Sequence, residues 1–270
     1  EMSKPINIVV CGSLVPDPLQ TLEPVETPQG PGLKNEQMLP SVLDPWAACA
    51  LYEAANLAKQ RPGSKVYLVA LGPKAKLQQL MMTVAQKAPF TLVAVNAPAG
   101  GFTDAKATAA ELAKAIKAIP GLDLSATLLF GGCASASRDA GVTLPFVAEM
   151  LGITEAFTAV DELKLADDDS FTVLERIEGG QYLSSTCAGL PAAVGWATGS
   201  LPEPPNNPQV GMMNMRGVML ALMKAPAANV GVGGIAYGKV EVPRAKRDTV
   251  VKKDMSAAEI AQELVDWIKA

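Results

Sequence analysis

The stretch LLFGGCASASRDAG, residues 128–141, gathers the residue types that hold anions. An apolar run stops at Gly131-Gly132, a small polar loop through Cys133 follows, and a helix-like segment starts at Arg138. A strand ending this way presents backbone N–H groups, and glycine lets that backbone approach a phosphate closely. Ser135 and Ser137 add hydroxyl donors, and Arg138 adds charge. The N-terminus of the next helix contributes a partial positive charge, about 0.3–1 kcal/mol at an exposed site. A Gly-Gly pair is equally what a plain strand-end turn requires, so these residues alone leave both readings open. There is no G-K-[ST], which excludes a Walker loop, and the first apolar run carries no G-x-G-x-x-G, so the ordinary dinucleotide fingerprint is missing.

The chemistry available to the rest of the chain is narrow. There is no histidine. That removes Ser-His-Asp and Cys-His catalysis, the imidazole acid or base, and histidine metal ligands. The four cysteines, Cys11, Cys49, Cys133 and Cys187, are far apart with no C-x-x-C pair. They read as small buried residues of a reduced protein rather than as a zinc or iron–sulfur site. The formal net charge is −4 and aromatics make up 5%, which argues against nucleic acid as a partner.

Four apolar runs without polar alternation would position the 128–141 loop: INIVVCG (6–12), KVYLVALG (65–72), FTLVAVN (90–96) and ATLLFGG (126–132). Such runs suit strands buried on both faces of a parallel sheet. The first is too short and lacks the flanks for a signal peptide, and no run of about 18 apolar residues offers a membrane span. Helical patterns lie between the runs. DPWAACALYEAANLAKQ (44–60) starts with Asp44 as N-cap and Pro45 at the first helical position. Segments 74–87 and 104–119 follow the same logic, and 138–152 is a weaker helix interrupted by Gly141 and Pro145. The alternation predicts an α/β fold with a doubly wound, mostly parallel sheet, whose ligands sit at the carboxyl ends of the strands.

Beyond residue 152 the pattern changes. Residues 171–187 predict a hairpin around Glu178-Gly179-Gly180, and 191–199 another strand, extending the sheet in partly antiparallel fashion. The acidic run 167–170 reads as a solvated hairpin tip. Residues 200–217, rich in Pro, Asn and Met, are expected to be irregular for most of their length, and 16–40 an excursion from the sheet. Residues 225–255 show little periodicity and carry Arg244, Lys246, Arg247, Lys252 and Lys253, a basic cluster that suits a subunit contact or a solvated edge. A last helix is capped by Ser256 with Glu259 and has an apolar face of Ile260, Leu264, Trp267 and Ile268. Trp46, Trp196 and Trp267 are expected as packing anchors. The division expected is a nucleotide-binding α/β domain over 1–224 and an arm with a helix over 225–270.

Taken in order, VPD (15–17), DPWAACALYEAANL (44–57), VALGP (69–73), the GG…AG loop, ERIEGG (175–180), LPAAV (190–194), LPEP (201–204) and MRGVM (215–219) resemble the β-subunit of electron transfer flavoprotein over most of the chain. The resemblance implies an adenine-nucleotide α/β hydrolase-like domain, a structural AMP, and a C-terminal arm around an α-subunit that carries most of the FAD contacts. It places Cys11, Asp44, Pro45, Trp46, Ala47 and Leu71 in the AMP pocket, with Gly131 to Gly141 as the phosphate loop. It also places Met215, next to Arg216, at a loop that docks a partner dehydrogenase, and leaves Met219 to the core. Three features depart from the family pattern. The phosphate loop is shorter and lacks an acidic, Gln-containing run. Arg176 stands where a partner-facing Glu is usual. The segment before MRGVM is longer.

The function expected is therefore a subunit that positions flavin for electron transfer and uses no acid, base or nucleophile of its own, in the cytoplasm or, secondarily, the mitochondrial matrix. Two alternatives stay open: a bifurcating-type subunit with its own FAD, and a stand-alone adenine-nucleotide sensor.

Overall fold

The computed structural model describes residues 4–28, 30–98, 102–243 and 246–270. Its compact unit runs to Val240, and Glu241–Ala270 form a second unit. The parallel strands of the first unit are β1 (Asn7–Pro16), β5 (Lys65–Gly72), β6 (Thr91–Asn96), β7 (Thr127–Gly132) and β11 (Ala192–Trp196). All of β5 after Lys65 is buried, which explains the unbroken apolar run. The sheet order ends …β11-β7-β1-β5-β6. After β6 the chain crosses back to place β7 on the other side of β1. The strand order therefore reverses between β1 and β7, where crevices form in such sheets.

Helices cover both faces. α1 (Pro45–Gln60) and α2 (Lys74–Val84) pack with Ile8, Val10 and Leu68 on one face. α3 (Ala105–Lys117) and α4 (Thr143–Leu151) pack with Val9, Val69 and Leu129 on the other. α4 starts later than the sequence pattern suggested, because Gly141 turns the chain at φ +64. Pro145 then falls in the first turn, where no helical bond is lost.

The excursion after β1 contains a small antiparallel hairpin, β2 (Pro24–Thr27) with β3 (Gly30–Leu33), and β4 (Ser41–Leu43), which pairs with β1. The far edge of the sheet is an antiparallel meander of β8 (Ala156–Leu165), β9 (Phe171–Ile177) and β10 (Gln181–Cys187). The hairpin at 178–180 is where the sequence placed it. β8 was not anticipated; its pairing with β11 is irregular near Ala159, at φ 53, and its pairing with β9 shifts at Asp161.

Three expectations need correction. The acidic tip 167–170 is not simply solvated. Asp168 is exposed and accepts from Ser170, but Asp169 pairs with the Arg61 guanidinium at 2.8 Å. Arg61, at the end of α1, is 4% exposed and also donates to the Asp167 carbonyl, so the tip supplies the counter-charge a buried guanidinium needs. Second, 208–217 is not irregular: α5 spans Pro208–Met223. Asn207 caps it and Pro208 occupies its first position, so the proline that looked disruptive is a start signal. Gly211 lets α5 pack closely, since a Cβ there would lie 2.8 Å from Gln86 Cγ. Third, of the three tryptophans Trp196 is buried and Trp46 half-buried, but Trp267 is 77% exposed.

After α5 the chain runs beside β6, where Asn96 and Ala227 bridge. The second unit contains α6 (Ala257–Lys269), whose Ser256–Glu259 capping box is formed as read from the sequence. Of the basic cluster, Arg244 lies outside the described residues, and Lys252 pairs with Glu263 at 2.7 Å.

Candidate functional site

The carboxyl ends of β1, β5 and β7 open into a cavity of about 910 Å³. Its floor comes from Cys11 in the middle of β1, Leu71 on β5 and Ala47 on α1. Burial pushes the Cys11 thiol up to about 12, so it is a packing group rather than a nucleophile.

One wall is the loop after β7. A Cβ on Gly131 would meet Leu144 Cδ1 at 3.0 Å, and one on Gly132 would lie 2.5 Å from Trp46 Cβ. The glycine pair is thus needed for close packing of α4 and α1 on the strand end. Gly141 is required twice over, by its positive φ and because a Cβ would lie 2.5 Å from the Cys133 carbonyl. The loop folds on itself. Asp139 N donates to the Ser135 carbonyl at 3.1 Å, Arg138 N to Ser135 Oγ at 3.3 Å, and Ser135 and Ser137 hydroxyls lie 3.1 Å apart. Arg138 Nη1 reaches the Thr103 carbonyl at 2.5 Å. α4 then begins without a side-chain cap, and Val142, Thr143 and Leu144 line the cavity. Uncapped N–H groups at a helix start, beside two serines and an arginine, are a donor set for an anion.

Asp44 stands between this loop and α1. It is 3% exposed; Oδ1 accepts from Trp46 N at 3.1 Å and Oδ2 from Ala136 N at 2.8 Å. Burial raises its pKa, and the backbone hydrogen bonds oppose that rise.

The opposite wall is one the sequence did not reveal. The β2–β3 hairpin contributes Thr27, Pro31, Gly32 and Leu33, and the turn after it Asn35, Glu36 and Gln37. Lys76 Nζ on α2 donates to the Glu36 carbonyl at 3.2 Å, and Glu36 Oε2 accepts from Leu33 N at 3.3 Å. Lys76 and Arg138 are the cations among the described residues lining the cavity. Nothing local in 16–40 signalled this wall, and α2 reaches it through Lys76 at Glu36, in the turn after the hairpin.

Of the sequence-selected residues, Cys11, Asp44, Ala47, Leu71, Gly131, Gly132, Ser135, Ser137, Arg138 and Gly141 line the cavity. Pro45, Trp46 and Cys133 do not; Trp46 packs against Gly132 behind it, and Cys133 N donates to the Trp196 carbonyl at 2.8 Å. Among the described residues no cluster of three or more His, Cys, Asp or Glu could hold a metal ion, and no helix is long and apolar enough to cross a membrane.

Met215 and Arg216 lie on α5, away from the cavity lining. The burial expected for the methionines is reversed. Met215 is half-buried against the core and Met219 is 37% exposed. The helix turns Gly211, Asn214, Val218 and Leu222 inward, which leaves Met212, Met213, Leu220 and Met223 outside with Arg216.

The position expected to face a partner, Arg176, is tied within the chain. Its Nε donates to Asp161 and its Nη2 to Thr198 Oγ1 at 2.5 Å. Tyr182 OH also donates to Asp161, at 3.0 Å. Glu175, on the other face of β9, accepts from Ser185 Oγ at 2.7 Å and Thr158 N at 3.0 Å.

Comparison with known proteins agrees with this architecture. The chain is 26% identical over 178 residues to the caffeyl-CoA reductase-Etf complex subunit CarD of Acetobacterium woodii. The match covers 66% of this chain and 64% of that subunit's length. The sequence pattern of the electron transfer flavoprotein domain matches residues 34–221, which include α1, the loop after β7 and most of α5. The chain belongs to the electron transfer flavoprotein domain family.

Proposed function

We propose that this chain is a β-type subunit of an electron transfer flavoprotein heterodimer that binds an adenine nucleotide in the cavity beyond β1 and β7. The observation that carries the proposal is the donor set there: the 133–141 loop with Ser135, Ser137 and Arg138, and the uncapped start of α4. These groups fit the phosphate of AMP. Cys11, Ala47 and Leu71 supply an apolar floor suited to a planar base. The residues bind and orient, and none is arranged as an acid, base or nucleophile; FAD in the complex supplies the redox chemistry. The expected measurement is the identity and stoichiometry of nucleotides released on denaturing the purified complex. One AMP per chain beside the FAD of the complex agrees with the proposal, and a complex that releases no nucleotide beyond a single FAD contradicts it.

A second reading, in which the same cavity holds FAD, draws support from its extent. The space of about 910 Å³ continues from the loop to the β2–β3 hairpin, near the upper end for small-molecule pockets and more than a mononucleotide needs. The chain belongs to a flavoprotein domain family, which keeps FAD a candidate ligand for this cavity. Two FAD per heterodimer with no AMP favours this reading, and one FAD with AMP favours the first.

Two exposed helical faces fit the partners. In the second unit, Ile260, Leu264, Trp267 and Ile268 of α6 are between 44% and 77% exposed, an apolar face that a short unit cannot bury alone. It suits the α-subunit. The outer face of α5, with Met212, Met213, Leu220 and Met223 around Arg216, is an adaptable surface for a partner dehydrogenase.

A further inference from the structure

We propose that Asp44 is a positioning residue: its carboxylate latches the 133–141 loop to the start of α1 and so holds the loop's donors in the arrangement that receives a nucleotide's anionic group. The inference rests on the reading that the cavity binds an adenine nucleotide.

The two oxygens are divided between two segments far apart in sequence. Oδ1 takes Trp46 N, the ordinary duty of an N-cap. Oδ2 takes Ala136 N, 92 residues away, at the middle of the loop. Among the described residues the loop is also tied to the domain at its start, by Cys133 N to the Trp196 carbonyl, and two residues beyond Ala136 through the Arg138 side chain to the Thr103 carbonyl.

The choice of aspartate at this place is informative. A carboxylate that is 3% exposed is costly to desolvate, and in an anion-binding wall it has the wrong sign. Asparagine caps a helix equally well. Asparagine cannot, however, accept from two separate N–H groups through two separate atoms, because one of its terminal atoms is an NH2 donor. Two divergent N–H donors call for two acceptor oxygens, and only the carboxylate supplies both, as charge-assisted bonds. The second bond, to Ala136, is what the cap alone does not explain. With it made, Ser135 and Ser137, on either side of Ala136, are held at the cavity wall before any ligand arrives.

The test compares wild type with Asp44→Asn and Asp44→Ala in the full chain, with its partner subunit if the two copurify. AMP and FAD serve as calorimetric probes, and amide hydrogen exchange is read at Ala136 and Trp46. Asp44→Asn keeps the cap but leaves the Ala136 N–H without its acceptor, so thermal stability falls less than in Asp44→Ala. Exchange at Ala136 accelerates and nucleotide affinity falls about tenfold, the scale of one lost charge-assisted hydrogen bond. Asp44→Ala loses both bonds and weakens binding further. Wild-type affinity in folded Asp44→Ala, or in Asp44→Asn with Ala136 still protected, overturns the proposal. If wild type binds neither AMP nor FAD, the cavity reading fails, while unchanged exchange at Ala136 in both variants separately rejects the latch.

Discussion

Two helices in this chain begin the same way. α1 starts Asp44-Pro45 and α5 starts Asn207-Pro208, each with a capping side chain followed by proline at the first helical position. The Asn207 side chain accepts from Gln209 N at 3.0 Å and Val210 N at 3.3 Å, both in its own helix, at the surface. Asp44 is buried, and only one of its oxygens serves its own helix; the other crosses to the loop after β7. The same local signal thus does two jobs. At α5 it starts a helix whose outer face is left for contact. At α1 it also joins two walls of a cavity, and that second duty depends on the partner loop rather than on the signal itself.

The comparison can be broken from either side. Replacing Asp44 with alanine removes a cap and leaves a partly buried Ala136 N–H without its acceptor, an expected loss of about 2–4 kcal/mol in urea unfolding. Gly132→Ala attacks the same junction by sterics, since its Cβ would lie 2.5 Å from Trp46 Cβ and 2.8 Å from the Ala134 carbonyl. Overpacking of this kind costs about 1–3 kcal/mol, and nucleotide binding should weaken in step as α1 is pushed from the loop. A stable Gly132→Ala protein with unchanged affinity would show that the junction is slack. Asn207→Ala should cost about 1 kcal/mol, the value of a cap alone, and leave nucleotide affinity at the wild-type level. A change in affinity there would erase the distinction between the two starts.

The smallest effect concerns the meander, where another buried carboxylate has different company. Burial acts to raise the Asp161 pKa, but hydrogen bonds from Arg176, Tyr182 and Thr198 outweigh it and hold the carboxyl below its usual range. A lowered folded-state pKa means stability that is present above the unfolded value of about 3.9 and lost as pH falls through the folded value. Thermal melts of wild type and Asp161→Asn should therefore differ near neutrality and converge below about pH 4. Asp44, raised by burial, has the opposite sign, so its carboxylate opposes folding at neutral pH apart from the bonds it makes.

The parallel strands and α1, α2, α3 and α6 were legible in the sequence because each carries a local signature: an apolar run buried on both faces, or a cap with a periodic apolar face. α5 was hidden by its surroundings. Prolines and asparagines in 202–208 read as irregular chain, although Asn207-Pro208 repeats the signal already read at Asp44-Pro45. With the helix missed, its register could not be assigned, and the burial of Met215 and Met219 came out reversed. The cavity was half legible. The loop after β7 has glycines and serines that mark a strand end, but the true reason for Gly132, the approach of Trp46, needs α1 in place. The hairpin wall left no sequence trace, since its contact with Lys76 joins segments whose individual patterns are ordinary. Long-range closure is what local periodicity does not encode.

The most direct test of the cavity's role is an experimental structure of the protein as purified, without added nucleotide. The account predicts density for an adenine nucleotide beyond β1 and β7, with a phosphate within hydrogen-bonding distance of the 133–141 loop and the start of α4. Density for the nucleotide elsewhere, or a cleft in which that loop closes on α1 and leaves no room for it, would contradict the account.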